Sequence, residues 1–329
     1  MDTTRCISRA RTALLLGCLM FMAGPLGAQP AAFPSKPIRI VVGFPPGGAN
    51  DILARLLAAK MQEAWGQPGV VENRPGANSI IAAEFVAKSA PDGHTLLVNS
   101  TGGMTVNPVL YPKLPFNTER DFLPISLLVR TPMILVANPS LAAANVRELI
   151  AFSKANPGKV NYSAGSTSFV LAGELFNEMA GTSLVSVPFK GSAQSTNAVL
   201  SGTTELSMVD LPPVVAHIRA GKLRVMGVTA GRRIAALPDL PTLDEGGLPG
   251  YDMVLWTGLF APAGTPADVV AKLAAEAQRV VRIPDHAEKL GSLGMESVGG
   301  TPAELAAQIR RELVLYGQLV KSRGIKPEQ

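Results

Sequence analysis

The order of short β-rich runs, glycine-rich loops and amphipathic helices is the feature that most constrains the fold. Ile38 to Val42 is followed by the loop Gly43 to Gly48, and apolar side chains then recur at spacings of three and four from Ile52 to Trp65. That spacing indicates a helix with one buried face. Val160 to Ser163 and the helical pattern Leu171 to Met179 repeat the plan around a second loop. This order predicts an α/β fold with a parallel or mixed sheet and helices on both faces.

The remaining apolar segments extend the same pattern. Short runs of β-branched and aliphatic residues between turn residues are typical of strands. Further strands are predicted at Val70 to Asn73, Thr95 to Val98, Ile125 to Val136 with an interruption at Thr131-Pro132, Leu184 to Phe189, Glu205 to Val209, Leu223 to Thr229 and Val254 to Ala261. Further helices are predicted at Ser79 to Ser89, Val146 to Ala155, Pro266 to Val281 and Pro302 to Lys321.

The length of the chain predicts two domains, because 329 residues exceed what one hydrophobic core usually organises. We assign residues 33–130 and 230–329 to domain I, which is discontinuous, and residues 131–229 to domain II. The chain then crosses between the domains twice, near Thr131 and Thr229. Two connections suit a hinge, since they permit bending about an axis and prevent free tumbling. The expected architecture is a type II-like arrangement of two α/β lobes around a ligand cleft.

The N-terminus, residues 1–28, has the composition of a secretory signal peptide. Three arginines precede the apolar run Ala13 to Gly24, and Pro25 ends that run. The run is shorter than the roughly 20 apolar residues that a helix needs to cross a bilayer. Cleavage is expected after Ala28. The alternative is a lipoprotein signal in which Cys18 carries the lipid.

Composition excludes several kinds of chemistry. Both cysteines, Cys6 and Cys18, lie in the signal, so its cleavage at residue 28 leaves neither a disulfide nor a thiolate nucleophile. The net charge is +5, and removal of three Arg and one Asp with the signal leaves about +3. This small positive charge does not indicate nucleic-acid binding, which would need basic residues clustered on one face. The histidines His94, His217 and His286 lack metal-ligand spacing and are expected at the surface. No metal and no cofactor are predicted.

The loop that leads into the first helix is the most informative segment for function. Its prolines stiffen the backbone, and its glycines permit a close approach of a ligand. The first N–H groups of a helix have no intrahelical partner and attract anions. Asn50 or Asp51 is expected to cap this helix; the alternative is an ordinary glycine-rich β–α turn. The segment matches neither the phosphate loop that ends in Gly-Lys-Ser/Thr nor the Gly-x-Gly-x-x-Gly pattern, so it does not indicate nucleotide binding. Its candidate ligand contacts are Phe44, Pro46, Gly47, Gly48, Asn50 and Asp51.

A second loop, at the start of the helix that carries Leu171, follows the same logic and adds hydroxyl groups. Hydroxyls and helix-end N–H groups can replace the water around a carboxylate without a cation. The alternative is simple capping of the helix by Ser or Thr. The candidate contacts here are Ser163, Gly165, Ser166, Thr167 and Ser168.

Three further loops follow predicted strands, at the edge where such sheets bind ligands. Lys190, Gly191 and Ser192 supply a cation and a flexible turn, and the alternative for Lys190 is an ordinary surface lysine. Asp210 ends a strand, where it would face a ligand ammonium or hydroxyl group or cap the next helix. Ser100, Thr101 and Gly102 either contact the ligand or form a plain polar loop.

Seven short segments, occurring in a fixed order, are the most specific signal in the chain. They are Pro34 to Arg39, Val42 to Asp51, Glu72 to Ala77, Pro91 to Leu96, Leu171 to Phe176, Pro188 to Gly191 and Phe260 to Pro266. Together they resemble the Bug or TctC-type substrate-binding proteins of tripartite tricarboxylate transporters, over nearly all of the chain after the signal. Val170 and Phe189 depart from the His and Tyr frequent in that family.

The resemblance implies a periplasmic-binding-protein fold and a function. A periplasmic receptor of this type binds a small carboxylate and delivers it to the two membrane subunits of the transporter. The loops matching Phe44 to Asp51 and Ser163 to Ser168 would hold one carboxylate from opposite lobes, partly through ordered waters. The loops after Val98, Phe189 and Val209 would contact the rest of the ligand.

A monomer that performs no chemistry is therefore expected. Two alternatives remain open. A ligand-sensing receptor would couple the same binding to a signalling partner instead of a transporter. A periplasmic serine hydrolase would use Ser166 or Ser168, although the sequence identifies no base partner for either and contains no Gly-x-Ser-x-Gly elbow.

Overall fold

The computed structural model describes residues 33–189, 191–234 and 237–326. The predicted signal peptide, both cysteines and Lys190 lie outside these residues. Within the described ranges, no helix has the length and apolar character needed to cross a membrane.

The strands of the described chain join in one mixed sheet. Their bounds are β1 Ile38–Val42, β2 Gly69–Asn73, β3 Thr95–Ser100, β4 Phe122–Ala137, β5 Asn161–Ala164, β6 Val185–Pro188, β7 Leu206–Asp210, β8 Arg224–Val228, β9 Val254–Pro262 and β10 Glu296–Gly300.

The helices have the following bounds. They are α1 Ala49–Trp65, α2 Ile80–Ala87, α3 Asn107–Leu110, α4 Thr118–Asp121, α5 Val146–Ala155, α6 Thr167–Ala180, α7 Ser192–Leu200, α8 Leu211–Arg219, α9 Ala267–Arg282, α10 Pro284–Ser292 and α11 Pro302–Arg323. A 3-10 turn at Ala77–Ser79 precedes α2, and a π-helical turn at Gly102–Val106 precedes α3.

The sheet has two similar halves that share β4. In the first half β1 pairs in parallel with β2 and β3, and β9 lies antiparallel between β3 and β4. In the second half β5 pairs in parallel with β6 and β7, and β7 lies antiparallel to β4. Residues 122–132 of β4 pair with β9, whereas residues 133–137 pair with β7. The predicted mixed α/β sheet is confirmed.

The predicted interruption at Thr131-Pro132 is wrong, because β4 runs straight through both residues. Pro132 pairs with Val254, the first residue of β9, so its missing N–H falls where that ladder ends. Proline is tolerated at such a position because no bond inside the ladder is lost.

The two predicted crossings lie side by side. The backbone N–H of Met133 donates to the hydroxyl of Thr229 at 2.9 Å, and the N–H of Thr229 donates to the carbonyl of Met133 at 3.0 Å. The N–H of Met253 donates to the carbonyl of Thr229 at 2.9 Å. Hydrogen bonds thus tie the connecting segments together at the junction of the two halves.

Two apolar clusters pack against the sheet, and the second also includes residues of the π-helical turn and of α11. The first contains the rings of Phe122, Trp256 and Phe260. The second contains Tyr162 and Phe176. The rings of Phe122 and Phe260 pack edge to face, and such a pair stabilises the fold beyond the effect of its buried area. These cores fix the strands whose ends form the site.

Candidate ligand-binding site

A cavity of about 530 Å³ lies where the carboxyl ends of β1, β3, β5 and β7 approach one another. Residues of both halves of the sheet line it. Among the predicted contacts, the lining contains Phe44, Pro46, Gly48, Asn50, Ser100, Thr101, Gly102, Gly165, Ser166, Thr167, Ser168, Gly191, Ser192 and Asp210. Gly47, Asp51 and Ser163 do not line the cavity, and Lys190 lies outside the described residues.

Four helices begin at this cavity. Their N-caps are Gly48 for α1, Ser166 for α6, Gly191 for α7 and Asp210 for α8, and all four residues line the cavity. None of the four caps its helix through a side chain. The first N–H groups of α1, α6 and α7 are therefore left for a ligand or for water, and the dipoles of these helices favour a negative charge there. In α8 two prolines follow the first residue and have no N–H, so this helix offers only its first N–H group.

The side-chain caps considered for these helices are absent. Ser166 and Asp210 make no capping bond, so capping does not explain either residue. The expected cap of α1 by Asn50 or Asp51 is wrong, since the helix begins at Ala49 with Gly48 as its N-cap. Asn50 instead accepts a hydrogen bond from the hydroxyl of Thr257 at 2.8 Å.

The carboxylate of Asp51, in the first turn of α1, fixes the shape of the first loop. It accepts two hydrogen bonds from Arg55, at 2.8 and 3.0 Å, and one from the N–H of Gly47 at 2.9 Å. Asn73 donates to Asp51 at 2.9 Å and to the carbonyl of Phe44 at 3.1 Å. Gly47 has a positive φ of 86°, a conformation that glycine adopts without cost. Asp51 thus fixes the turn that places Phe44 and Gly48 at the cavity.

These contacts predict a dependence of stability on pH. Burial alone would raise the pKa of Asp51, but the hydrogen bonds from Arg55, Gly47 and Asn73 outweigh it and hold the pKa at about 2, against 3.8 ordinarily. The carboxylate therefore stabilises the fold above pH 3.8, and this stabilisation is lost as the pH falls toward 2.

Urea unfolding of the wild type and of Asp51→Asn checks this expectation. The wild type is expected to be more stable than the variant at pH 7, and the difference in the free energy of unfolding should shrink between about pH 4 and pH 3. A difference that stays constant over that range would contradict the role given to Asp51.

The second loop is held by close backbone packing. Ser163 is buried, and its hydroxyl donates to the carbonyl of Ser195 at 2.9 Å, which makes it a support of the loop. A Cβ on Gly165 would lie 2.6 Å from the carbonyl oxygen of Gly191 and 2.8 Å from the nitrogen of Ser192. The starts of α6 and α7 are thereby fixed against each other.

Asp210 is the one ionisable side chain that lines the cavity within the described residues. Burial raises the pKa of its carboxyl group, and a hydrogen bond from the hydroxyl of Ser192 at 2.8 Å opposes that rise. The lining that the structure describes otherwise offers backbone N–H groups, hydroxyls, amides and apolar surface. Such a set can bind an anion, and the carboxylate of Asp210 is hydrogen-bonded to Ser192 and not to Ser166 or Ser168.

Among the described residues, no group of three or more His, Cys, Asp or Glu is placed to bind a metal ion. The expectation that all three histidines lie at the surface is wrong for His94, which is only 7% exposed and packs beside Asp92. His217 and His286 are half-buried. None of the three lines the cavity.

Several lining residues were not predicted from the sequence. Trp256 and Thr257 come from β9, Asn107 from the start of α3, and Asn78 from the turn before α2. The others are Pro45, Ala49, Gly103, Val106, Thr131, Phe169 and Leu255. Of these, Pro45, Ala49, Gly103 and Phe169 lie next to predicted contacts in sequence. The rest reach the cavity from distant strands or from the turns and helix starts beside it, which no local pattern reveals.

Trp256 is positioned by a buried carboxylate on α11. Its indole N–H lies 2.8 and 2.9 Å from the two oxygens of Glu312, which is 3% exposed. Thr105 of the π-helical turn also donates to Glu312, at 2.8 Å. Burial raises the pKa of Glu312, while these bonds and one from Gln308 favour its charged form. The C-terminal helix thus fixes one wall of the cavity.

Comparison with known proteins places this site in a family. The family model of the tripartite tricarboxylate transporter family receptor, TctC, matches residues 53–325. The chain belongs to this family of receptors. The family that the sequence motifs indicated is thereby confirmed.

Two of the solved structures similar to the receptor contain an organic acid. The Rhodopseudomonas palustris protein Rpa4515, with adipate, is 32% identical with a TM-score of 0.78, over 90% of the receptor and 100% of that chain. MatC from Rhodopseudomonas palustris, with bound malate, is 32% identical with a TM-score of 0.72, over 88% and 100%. The periplasmic binding protein BugD is 32% identical with a TM-score of 0.72, over 90% and 100%. The predicted fold class is confirmed.

Proposed function

We propose that the receptor binds one small carboxylate in the periplasm, between the two halves of its sheet, and releases it unchanged to a membrane transporter. The observation that carries this proposal is the convergence of three uncapped helix N-termini, those of α1, α6 and α7, on a cavity whose described lining contains no Lys, Arg or His. Helix ends and hydroxyls suit a carboxylate. Adipate and malate in the relatives support the same class of ligand.

The size of the cavity agrees with this class. Its volume of about 530 Å³ falls within the range of about 300–1,000 Å³ that is usual for small-molecule sites. The first carboxylate would lie at the starts of α1 and α6, near Gly48 and Ser166. The apolar surface of Phe169 and Leu255 would contact its carbon chain. Asp210 would accept a hydrogen bond from a hydroxyl or ammonium group, and Ser192 would donate to or accept from a hydroxyl group.

Closure of the two lobes on the ligand is part of the proposal. We take residues 33–130 with 230–329 as one lobe and residues 131–229 as the other. The bonds between Met133 and Thr229 mark the axis, because the main chain passes between the lobes there. A ligand that contacts both lobes favours the closed state by contacts that the open state lacks.

The approach of the lobes predicts the effect of a bulky residue at Gly102. A Cβ on Gly102 would lie 3.4 Å from the hydroxyl of Ser168, and no other group lies as near. Leucine at this position would occupy the gap between the lobes. We expect Gly102→Leu to weaken carboxylate binding at least tenfold, corresponding to about 1.4 kcal/mol, with little change in the melting temperature of the free protein.

Calorimetric titration and scattering in solution check this expectation. Gly291→Leu is the matched control, because Gly291 lies on α10 with nothing within 4 Å of an added Cβ. Binding and the ligand-induced decrease in radius should stay intact in the control. Unaltered closure and affinity in Gly102→Leu would rule out the proposed approach of the lobes.

The proposal extends to location and partners. Export through the signal peptide, cleaved after residue 28, would bring the receptor to the periplasm as a monomer. The two membrane subunits of a tripartite transporter would then accept the ligand. The family assignment supports this arrangement.

Mass spectrometry of ligand released from purified receptor tests the function. A single organic acid, retained at one molecule per protein and chemically unchanged, is the expected result. Turnover that disappears in Ser166→Ala or Ser168→Ala would instead show a hydrolase and would overturn the proposal.

A further inference from the structure

Three consecutive residues at the rim of the cavity adopt a backbone conformation that side chains disfavour. The φ angles are 46° at Ala77, 50° at Asn78 and 71° at Ser79. L-residues other than glycine rarely occupy this left-handed region, although asparagine does so more readily than most. Such strain persists only where the surroundings fix it, and it is concentrated at functional sites.

The surroundings of this turn fix its backbone firmly. Ser79 is fully buried and packs against Gly43, where an added Cβ would lie 2.8 Å from the Cα of Ser79. The N–H of Ser79 donates to the carbonyl of Gly76 at 3.0 Å. The amide of Asn107 donates to the carbonyl of Asn78 at 2.9 Å. The turn therefore holds its shape whichever side chain Asn78 carries.

Only one of the three strained residues lines the cavity. Asn78 belongs to the lining. Ala77 is exposed and Ser79 is buried, and neither of them lines the cavity. The amide nitrogen of Asn78 lies 3.4 Å from the hydroxyl of Tyr111, a long and weak hydrogen bond. That bond is easily exchanged for one to a ligand. Because glycine would also satisfy the backbone at this position, the amide can be removed without changing the turn.

We propose that Asn78 determines specificity by donating a hydrogen bond to a second polar group of the ligand, so that dicarboxylates are preferred to monocarboxylates of equal length. The inference rests on the proposed function. The helix N-termini receive the first carboxylate. Asn78 enters the cavity from a separate segment, beside Asn107, and its amide carries two N–H donors.

Calorimetry with paired acids tests the inference. Succinate is compared with butyrate and adipate with hexanoate, the monoacids being measured by competition. Asn78→Gly keeps the positive φ and removes the amide, so it should weaken diacid binding about tenfold and monoacid binding less than twofold. Asn78→Asp, which replaces donors by a negative charge, should weaken diacid binding further. Ala77→Gly is the matched control and should change neither class.

The outcomes separate this inference from the function on which it rests. Equal losses for diacids and monoacids in Asn78→Gly, or no loss for either, would overturn the role of Asn78 while leaving carboxylate binding intact. A wild-type receptor that binds none of the four acids or any other carboxylate would overturn both. Circular dichroism of each variant shows that the comparison is made on folded protein.

Discussion

Replacement of Gly165 by alanine is expected to reduce carboxylate binding on the order of a hundredfold or more while the protein stays folded. The added Cβ would lie 2.6 Å from the carbonyl oxygen of Gly191 and 2.8 Å from the nitrogen of Ser192. Both neighbours are backbone atoms, so the loops must separate. This separation moves the starts of α6 and α7 away from the ligand. The loss of two charge-assisted hydrogen bonds between these helix starts and the ligand carboxylate would account for the size of the effect.

Calorimetric titration of the variant with adipate and malate measures this loss. Gly291→Ala is the control, because Gly291 has open space around its Cα and lies outside the cavity. Circular dichroism and thermal melting confirm folding. If Gly165→Ala binds with the affinity of the wild type, the second loop is not a ligand contact.

Replacement of Gly173 by alanine is expected to cost stability rather than specificity. A Cβ there would lie 2.5 Å from Cε2 of Tyr162, whose ring is 1% exposed and whose hydroxyl donates to the carbonyl of Val170 at 3.1 Å. Overpacking of a core typically costs about 1–3 kcal/mol, and loss of the tyrosine hydrogen bond adds about 1 kcal/mol. Higher helix propensity offsets roughly 1 kcal/mol.

Urea unfolding should therefore show a loss of about 1–3 kcal/mol in the free energy of unfolding. Gly317→Ala makes the same change in α11, where the nearest atom would be 3.8 Å away. This control should keep or slightly increase the stability because alanine favours the helix. A Gly173→Ala protein as stable as the wild type would show that α6 does not pack on Tyr162 as described.

The main elements were predictable because their patterns are local. The helices α1 and α6 follow strands and glycine-containing loops, and their apolar residues recur at helical spacing. The helix α7 is not predicted, because its residues Ser192 to Leu200 are largely small and polar and its start has the pattern of a loop. The strand β10 was missed because it is short and ends in Gly299-Gly300.

The site was predictable only where its residues follow a strand directly. Gly48, Ser166 and Asp210 were found because β–α loops bind ligands at the carboxyl ends of strands. Trp256 and Asn78 depend on strand pairing and on a strained turn, neither of which has a sequence signal of its own. Asp51 and Ser163 were selected as contacts, yet their hydrogen bonds hold the loops.

Calorimetric titration of the ligand-free receptor with succinate, malate and adipate, and with their dimethyl esters, tests the central claim most directly. The esters keep the size and the carbon chain but remove the negative charges that the helix N-termini would bind. The proposal predicts binding of at least one acid at a ratio of one to one, with no detectable binding of its ester. Equal binding of acid and ester, or no binding of any carboxylate in a wider panel, would contradict it.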